Sequence, residues 1–167
     1  MKKMNNKGFS LVELIIVIAI MAILIVVLAP QYLKYVEKSR NSTDLQNVTE
    51  IKTALEVYAA DPDATKSLPA GKKVVIFITT TGGSIQTDES AGGDFAETAL
   101  GETDLKIGEI KCSSKSKWDC YALQGTANNN GGIDWKYDAA GATDSQKDFL
   151  AALNADTTKG FSSGVSN

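Results

Sequence analysis

The sequence predicts an α+β protein in which one long N-terminal helix packs against an antiparallel β-sheet. Three observations predict this fold: an unbroken apolar run at residues 14–29, an amphipathic helical pattern after it, and short β-rich segments between glycine- and asparagine-rich turns in the second half. The chain has 167 residues, of which 43% are hydrophobic and 22% are charged. This length and composition suit one folded domain with its own core.

The charged and metal-binding residue types narrow the function class. The formal net charge is −3, which argues against a protein devoted to nucleic acid or anionic lipid. Histidine is absent and there are two cysteines, so the commonest general base and the usual four-ligand zinc site are missing. Seven carboxylates between Asp88 and Glu109 do not have the spacing of an EF-hand calcium loop. We therefore predict no enzyme, no metal site and no cofactor.

The first element is a helix that we predict from residue 9 to about residue 60. Read back to Phe9, its apolar run is interrupted by Ser10 and Glu13 alone, and residues 1–8 before it carry three lysines and no acid. About twenty apolar residues are enough to cross a bilayer. Lysines in front of such a span hold the N-terminus on the cytoplasmic side. The sequence therefore predicts a membrane span with the rest of the chain outside.

The junction between the lysines and the apolar run, residues 7–13 (KGFSLVE), distinguishes kinds of membrane segment. A secretory signal peptide would end in an A-x-A-like cleavage site, and none follows this run. A plain signal anchor remains the alternative. The junction resembles the prepilin processing site of type IV pilins. The resemblance implies cleavage between Gly8 and Phe9 by a prepilin peptidase, N-methylation of Phe9, and an assembly role for Glu13.

Electrostatics independently demands a partner for Glu13. A carboxylate at the edge of a membrane-spanning helix is costly unless another group compensates it. Cleavage would create a positive α-amino group at Phe9, in the same chain or a neighbour, that can pair with Glu13. In a packed bundle of such helices, losing either half of the pair would strand a buried charge at a cost of about 3–5 kcal/mol. The alternative is a glutamate that snorkels to the membrane surface.

By the same resemblance, the chain divides into four segments. They are a leader that is removed (residues 1–8), the membrane and filament-core half of the helix (residues 9–30), its amphipathic half (residues 31–60), and a head with an antiparallel sheet and a short C-terminal helix (residues 61–167). Pro30 lies where these filament helices commonly carry a proline, and we expect a kink because proline removes a backbone donor. Related filaments melt before this proline with the help of a glycine. No glycine precedes Pro30 within the apolar run, so a kink is predicted rather than melting.

The amphipathic half of the helix carries a narrow apolar stripe at steps of three and four residues. The stripe consists of Leu45, Val48, Ile51, Leu55 and Tyr58. Such spacing predicts that one helix face packs on a core. The charged residues are assigned to the other faces: Lys34, Glu37, Lys38, Asp44, Glu50 and Lys52. The sequence Asp61-Pro62-Asp63 is expected to end the helix.

Strand and turn signals fill the head. Strands are predicted at residues 73–80, 105–112, 118–123 and 133–138, the last because Ile133, Trp135 and Tyr137 alternate with Asp134, Lys136 and Asp138. A glycine-rich loop is predicted at residues 81–93, and one or two helical turns at residues 94–100. A short helix capped by Thr143 or Asp144 is predicted to run to residue 153. The tail after Lys159 is predicted to be loose.

Two cysteines and a basic cluster lie around the start of the third predicted strand. Cys112 and Cys120 stand on either side of a turn, and in an extracellular head we predict a disulfide between them. Two reduced thiols are the alternative. Three lysines beside one tryptophan are weak evidence for nucleic acid as a partner, and the tryptophan suits a core better. This basic cluster consists of Lys111, Lys115, Lys117 and Trp118.

The resemblance implies a structural function. The preferred interpretation is a major pilin, a subunit that assembles from the membrane into an extracellular pilus serving adhesion or twitching motility. The implied partners are copies of the same chain, prepilin peptidase, an assembly ATPase, a membrane platform protein, and the membrane that holds the precursor. Two alternatives share every N-terminal feature: a pseudopilin of a secretion or DNA-uptake machine, and a minor adhesive pilin at the tip. An anchored enzyme is not favoured, because no nucleophile constellation is visible.

Overall fold

The computed structural model describes residues 9–86, 90–156, 158 and 160–161. The chain divides into two compact units, residues 1–38 and residues 39–167. The elements in chain order are α1 (Leu11–Ala60), β1 (Lys73–Ile78), β2 (Gly83–Gln86), α2 (Ser90–Glu102), a short 3-10 turn (Ile107–Glu109), β3 (Trp118–Ala127), β4 (Ile133–Gly141) and α3 (Ser145–Ala152). The α+β prediction is confirmed.

The long N-terminal helix is confirmed with nearly the predicted bounds. It ends at Ala60 because Asp61, the next residue, precedes Pro62, and a residue before proline is disfavoured in the helical conformation. The Asp61 side chain then stabilises the exit, since Oδ1 accepts the backbone N–H of Asp63 over 2.8 Å.

The apolar stripe of α1 forms one wall of the core of the second unit. Val48, Ile51, Leu55 and Tyr58 are buried, and Leu45 at the end of the stripe is half-buried. These side chains share one helix face at steps of three and four residues and lie in the same apolar cluster as the inner face of the sheet. The stripe prediction is therefore confirmed.

The sheet is antiparallel throughout, with strand order β2-β1-β3-β4. Its inner face is set by the register of β1 on β3, in which Ile76 lies opposite Leu123 and Ile78 opposite Tyr121. All four side chains are buried in the core cluster. Alternation along the two central strands thus supplies one apolar face for the helix stripe to cover.

A β-bulge at the start of β3 changes which side chains reach the core. Trp118 pairs with Gly141 and Cys120 pairs with Ala140, so Asp119 is the extra residue. The bulge places Trp118 on the core face three residues before Tyr121, rather than on the face of Cys120. Gly141 permits it: its φ is +135°, and a Cβ there would lie 2.6 Å from the Asp119 backbone nitrogen.

The two short helices complete the core with aromatic contacts. Phe95 of α2 lies 5.5 Å from Tyr58, centroid to centroid. Phe149 of α3 meets Trp118 edge-on at 4.9 Å and stacks on Tyr121 at 5.1 Å. The predicted C-terminal helix is confirmed as α3, although Asp144 at its N-cap position makes no side-chain capping bond.

Several predictions for the head were wrong in detail. Residues 105–112 form a 3-10 turn and irregular chain instead of a strand, and β2 lies inside the predicted loop at residues 81–93. The helical turns predicted at residues 94–100 belong to a longer helix, α2. Asp138, expected on the solvent face, is buried, and its Oδ1 accepts the Gln146 side-chain amide over 2.6 Å. The tail after Lys159 lies largely outside the described residues.

Candidate functional site

The first turn of α1 is closed by a reciprocal pair of hydrogen bonds. The Ser10 backbone N–H donates to Glu13 Oε2 over 2.9 Å, and the Val12 backbone N–H donates to Ser10 Oγ over 3.4 Å. This is a capping box, in which a serine and a glutamate three residues later satisfy N–H groups that lack a helical partner. The sequence reasoning missed this role of Ser10, although the Ser-x-x-Glu spacing signals it.

The predicted cleavage site lies directly before this capped turn. Phe9 is 86% exposed, and the capping box uses only atoms that follow it. A cut before Phe9 would therefore leave the start of the helix intact. Gly8 and the rest of the predicted leader, residues 1–8, lie outside the described residues. Cleavage, methylation of Phe9 and pairing of its amino group with Glu13 stay predictions.

The apolar half of α1 presents its side chains outward on every face. Residues 9–35 are all exposed, including the large aliphatic residues of the apolar run. The most apolar eighteen-residue window of α1 has a mean hydropathy of 3.4 and no buried residues. Among the residues that the structure describes, α1 alone is long and apolar enough to cross a membrane. Such a surface needs lipid or protein around it.

Pro30 lies inside α1, and the helix is continuous through it. The residues before it, 22–29, are helical, as expected for a stretch that contains no glycine. Proline has no N–H for the helical bond to the preceding turn and its ring crowds that turn. The kink at Pro30 stays a prediction.

A second polar site, which the sequence reasoning missed, is built around Asp44. Asp44 was assigned to a solvent face of the helix, and this is wrong: the residue has no exposed surface. Its carboxylate accepts the backbone N–H groups of Ser113 (2.7 Å, to Oδ1) and Ser114 (3.0 Å, to Oδ2). Oδ2 also accepts the Trp118 indole N–H over 2.8 Å and the Cys112 thiol over 3.6 Å. We call these five residues the Asp44 cluster.

The family model described as the prokaryotic N-terminal methylation motif matches residues 3–29. The type IV major fimbrial protein FimA of Dichelobacter nodosus is 33% identical over 106 residues, 63% of each chain. Fimbrial protein Q of Moraxella bovis is 33% identical over 110 residues, covering 62% of this chain and 69% of that protein. The chain belongs to the type IV pilin family.

A further relative of this pilin is prepilin peptidase-dependent protein A of Clostridium perfringens, 36% identical over 85 residues, which are 50% of this chain and 57% of that protein. This chain spans 63% of the length of the Dichelobacter nodosus FimA described above. No solved structure matches the chain. Pilins are structural proteins, so the prediction that this chain is not an enzyme is confirmed.

In this pilin structure Cys112 and Cys120, the two residues of the predicted disulfide, are free and buried. Cys112 belongs to the core cluster beside Asp44, whereas Cys120 lies outside that cluster and donates to the Ala140 carbonyl over 3.9 Å. Burial, then the charge of Asp44, raises the pKa of the Cys112 thiol, and burial also raises the pKa of Cys120. A raised pKa lowers the fraction of each thiol that is present as the reactive thiolate near neutral pH.

The basic and acidic clusters of the pilin head offer little for a ligand. Trp118 is buried and bound to Asp44, so it is not a platform on which a base could stack. Lys117 forms an ion pair with Asp148 at 2.6 Å. Within residues 9–86, 90–156, 158 and 160–161, no group of three or more acidic or cysteine side chains is placed to hold a metal ion.

Proposed function

We propose that this pilin is the major structural subunit of a type IV pilus. The membrane holds it as a single-pass precursor with the head outside, prepilin peptidase cuts it between Gly8 and Phe9, and the mature chain packs into a homopolymeric filament. One observation carries the proposal: the capped start of α1 is followed by an apolar helix exposed on all faces, directly after the proposed cut.

The apolar half of α1 supports both the membrane stage and the filament stage of this proposal. Full burial of a valine, leucine or isoleucine side chain stabilises by about 1.5–3 kcal/mol, and many of these side chains are more than half exposed along α1. In the membrane, lipid covers them. In the filament, the same side chains pack on copies of the helix, so the subunit exchanges lipid contacts for helix contacts.

Glu13 would set the register of this packing. Its Oε2 already accepts the Ser10 N–H, and a carboxylate has further lone pairs for a charged donor. The α-amino group that cleavage creates at Phe9, in the same or the next subunit, is that donor. Because the amino group does not exist before cleavage, processing would switch the pairing on.

The names of the relatives support the major role and the processing step. Two are type IV major fimbrial proteins of Dichelobacter nodosus, and the Clostridium perfringens relative is named for its dependence on prepilin peptidase. An assembly ATPase and a membrane platform protein would drive polymerisation. The three lysines in residues 1–8 would hold the precursor's N-terminus in the cytoplasm.

Intact-mass spectrometry of filaments sheared from cells tests the proposal. We expect one dominant species that begins at Phe9 and carries a single methyl group. The same processed species confined to the membrane fraction would instead indicate a pseudopilin. A trace amount among other subunits would indicate a minor adhesive pilin. A chain that retains residues 1–8 would overturn the processing proposal.

A further inference from the structure

The Asp44 cluster holds an exposed loop against the core of the head. The loop before β3, residues 111–117, contains no helix or strand, yet Cys112 and Ser114 in it are buried. Near its start, the Cys112 backbone N–H donates to the carbonyl of Thr79, the residue after β1, over 2.9 Å. Its far end enters β3 at Trp118. A loop without regular structure needs specific hydrogen bonds and packing contacts to hold one conformation.

Asp44 is the main hydrogen-bond acceptor for this loop, because donors surround both of its carboxylate oxygens. The four donors come from positions 112, 113, 114 and 118, nearly the whole length of the loop. A deprotonated carboxylate only accepts hydrogen bonds, and each of the four partners presents a hydrogen to it. These hydrogen bonds join groups about seventy residues apart in sequence, and Asp44 is fully buried from water.

The position of Asp44 on α1 is equally specific. It precedes Val48 by four residues, Ile51 by seven and Leu55 by eleven, which places it on the apolar stripe itself. An apolar residue there would pack on the core but leave two backbone N–H groups and an indole N–H buried without acceptors. Unsatisfied buried donors are costly, so this position demands an acceptor.

Both cysteine thiols have hydrogen-bond acceptors in the structure. The single hydrogen of the Cys112 thiol lies within reach of Asp44 Oδ2 at 3.6 Å and of the Trp118 carbonyl at 3.7 Å, and the Cys120 thiol donates to the Ala140 carbonyl over 3.9 Å. A Cys112–Cys120 bond would remove both thiol hydrogens from these acceptors. We propose that the Asp44 carboxylate, not a disulfide, fastens the loop at residues 111–117, so that the head folds with both cysteines as thiols and does not depend on oxidation.

Thiol counting on the full-length pilin in detergent micelles is the first test. Protein purified without reductant is unfolded, alkylated with iodoacetamide and weighed. We expect two adducts per chain. In a second experiment, glutathione disulfide is added to folded pilin and, in parallel, to unfolded pilin. Oxidation would convert two protein S–H groups and one glutathione disulfide into a protein disulfide and two glutathione thiols. We expect the folded pilin to keep both alkylatable thiols while the unfolded pilin loses them. A disulfide in the untreated pilin would overturn the proposal.

Amide hydrogen exchange separates the carboxylate from the cysteines. In Asp44→Asn, one carboxylate oxygen becomes a donor, and we expect exchange at Ser113 and Ser114 to be at least tenfold faster than in the wild type. Glu50→Gln, an exposed change on the same helix, and Cys120→Ala, which cannot form the disulfide, should stay within about threefold of the wild type, because both variants retain the whole Asp44 cluster. Unchanged exchange in Asp44→Asn would overturn the proposal.

The unfolding midpoint decides the matter if Asp44→Asn does not fold. The wild-type midpoint should then be the same within a few degrees with and without reductant, and so should the midpoint of Cys120→Ala. A wild-type midpoint that falls by ten degrees or more on reduction would show that a disulfide fastens the loop. This inference does not depend on the filament role, because every measurement is made on the isolated pilin.

Discussion

Glu13 and Asp44 are two carboxylates on the same helix, and their surroundings are opposite. Glu13 lies in an exposed apolar segment, and its hydrogen bond to Ser10 comes from within its own helical turn. Asp44 is fully buried, and its four donors come from a loop and from the first residue of β3, both distant in sequence. Asp44 therefore completes an intramolecular structure, whereas the environment around Glu13 must be supplied by lipid or by another subunit. We propose that the same residue class serves assembly in one region and folding in the other.

The comparison predicts its largest effect at Glu13. Glu13→Ala should reduce the amount of sheared filament by on the order of a hundredfold, because the Phe9 amino group would be buried without its partner at about 3–5 kcal/mol. The head should fold normally, since it does not use Glu13. Filament yield is measured against total pilin by immunoblot, with Glu50→Gln as the matched control on an exposed face of α1. Wild-type yield in Glu13→Ala would show that the pair does not form.

At Asp44 the predicted effect is on folding and not on processing. Asp44→Ala should lower the free energy of unfolding by about 3–5 kcal/mol, because the donors from Ser113, Ser114 and Trp118 would lose their acceptor inside the core. Chemical unfolding of the full chain in detergent, followed by tryptophan fluorescence, measures this change. Glu50→Gln again serves as the control. A loss below about 1 kcal/mol would mean that water replaces the carboxylate at no cost.

The contrast also explains which features the sequence predicted. The apolar run, the stripe from Val48 to Tyr58 and the alternation in β4 repeat over many residues, so periodicity reveals them. Asp44 is one polar residue on an apolar stripe, and its partners depend on a bulge at Asp119 that no local pattern announces. The cysteine spacing suggested a disulfide, but it could not reveal that the Cys112 thiol contacts Asp44, a residue distant in sequence. Ser10 could have been found, because a capping box has a sequence signature.

Alkaline pH should weaken the head. Burial raises the pKa of the Cys112 thiol above its ordinary value of 9.0 and that of the Tyr121 hydroxyl above 10.0. The unfolded chain therefore releases these protons first, so the stability present below about pH 9 is lost as the pH rises. Each group contributes a slope of at most about 1.4 kcal/mol per pH unit.

Unfolding free energies measured between pH 7 and pH 11 check this slope. Cys112→Ser should remove the component that begins near pH 9, and Tyr121→Phe the component that begins near pH 10. Asp44→Asn should make the Cys112 component smaller, because the charge of Asp44 is the second cause of the raised pKa after burial. A slope identical in all four proteins would assign the alkaline loss to other groups.

The smallest predicted effect concerns the cap that Ser10 gives to α1. Ser10→Ala removes the side-chain acceptor for the Val12 N–H but retains the backbone N–H that Glu13 accepts. Loss of an N-cap costs about 1 kcal/mol, so exchange at the Val12 amide should become several-fold faster. Ser10→Thr keeps the hydroxyl and should restore protection, which makes it the matched control. Because Glu13 retains its Ser10 N–H partner, filament yield in Ser10→Ala should fall far less than in Glu13→Ala. Equal losses in the two variants would mean that the cap, and not the charge of Glu13, controls assembly.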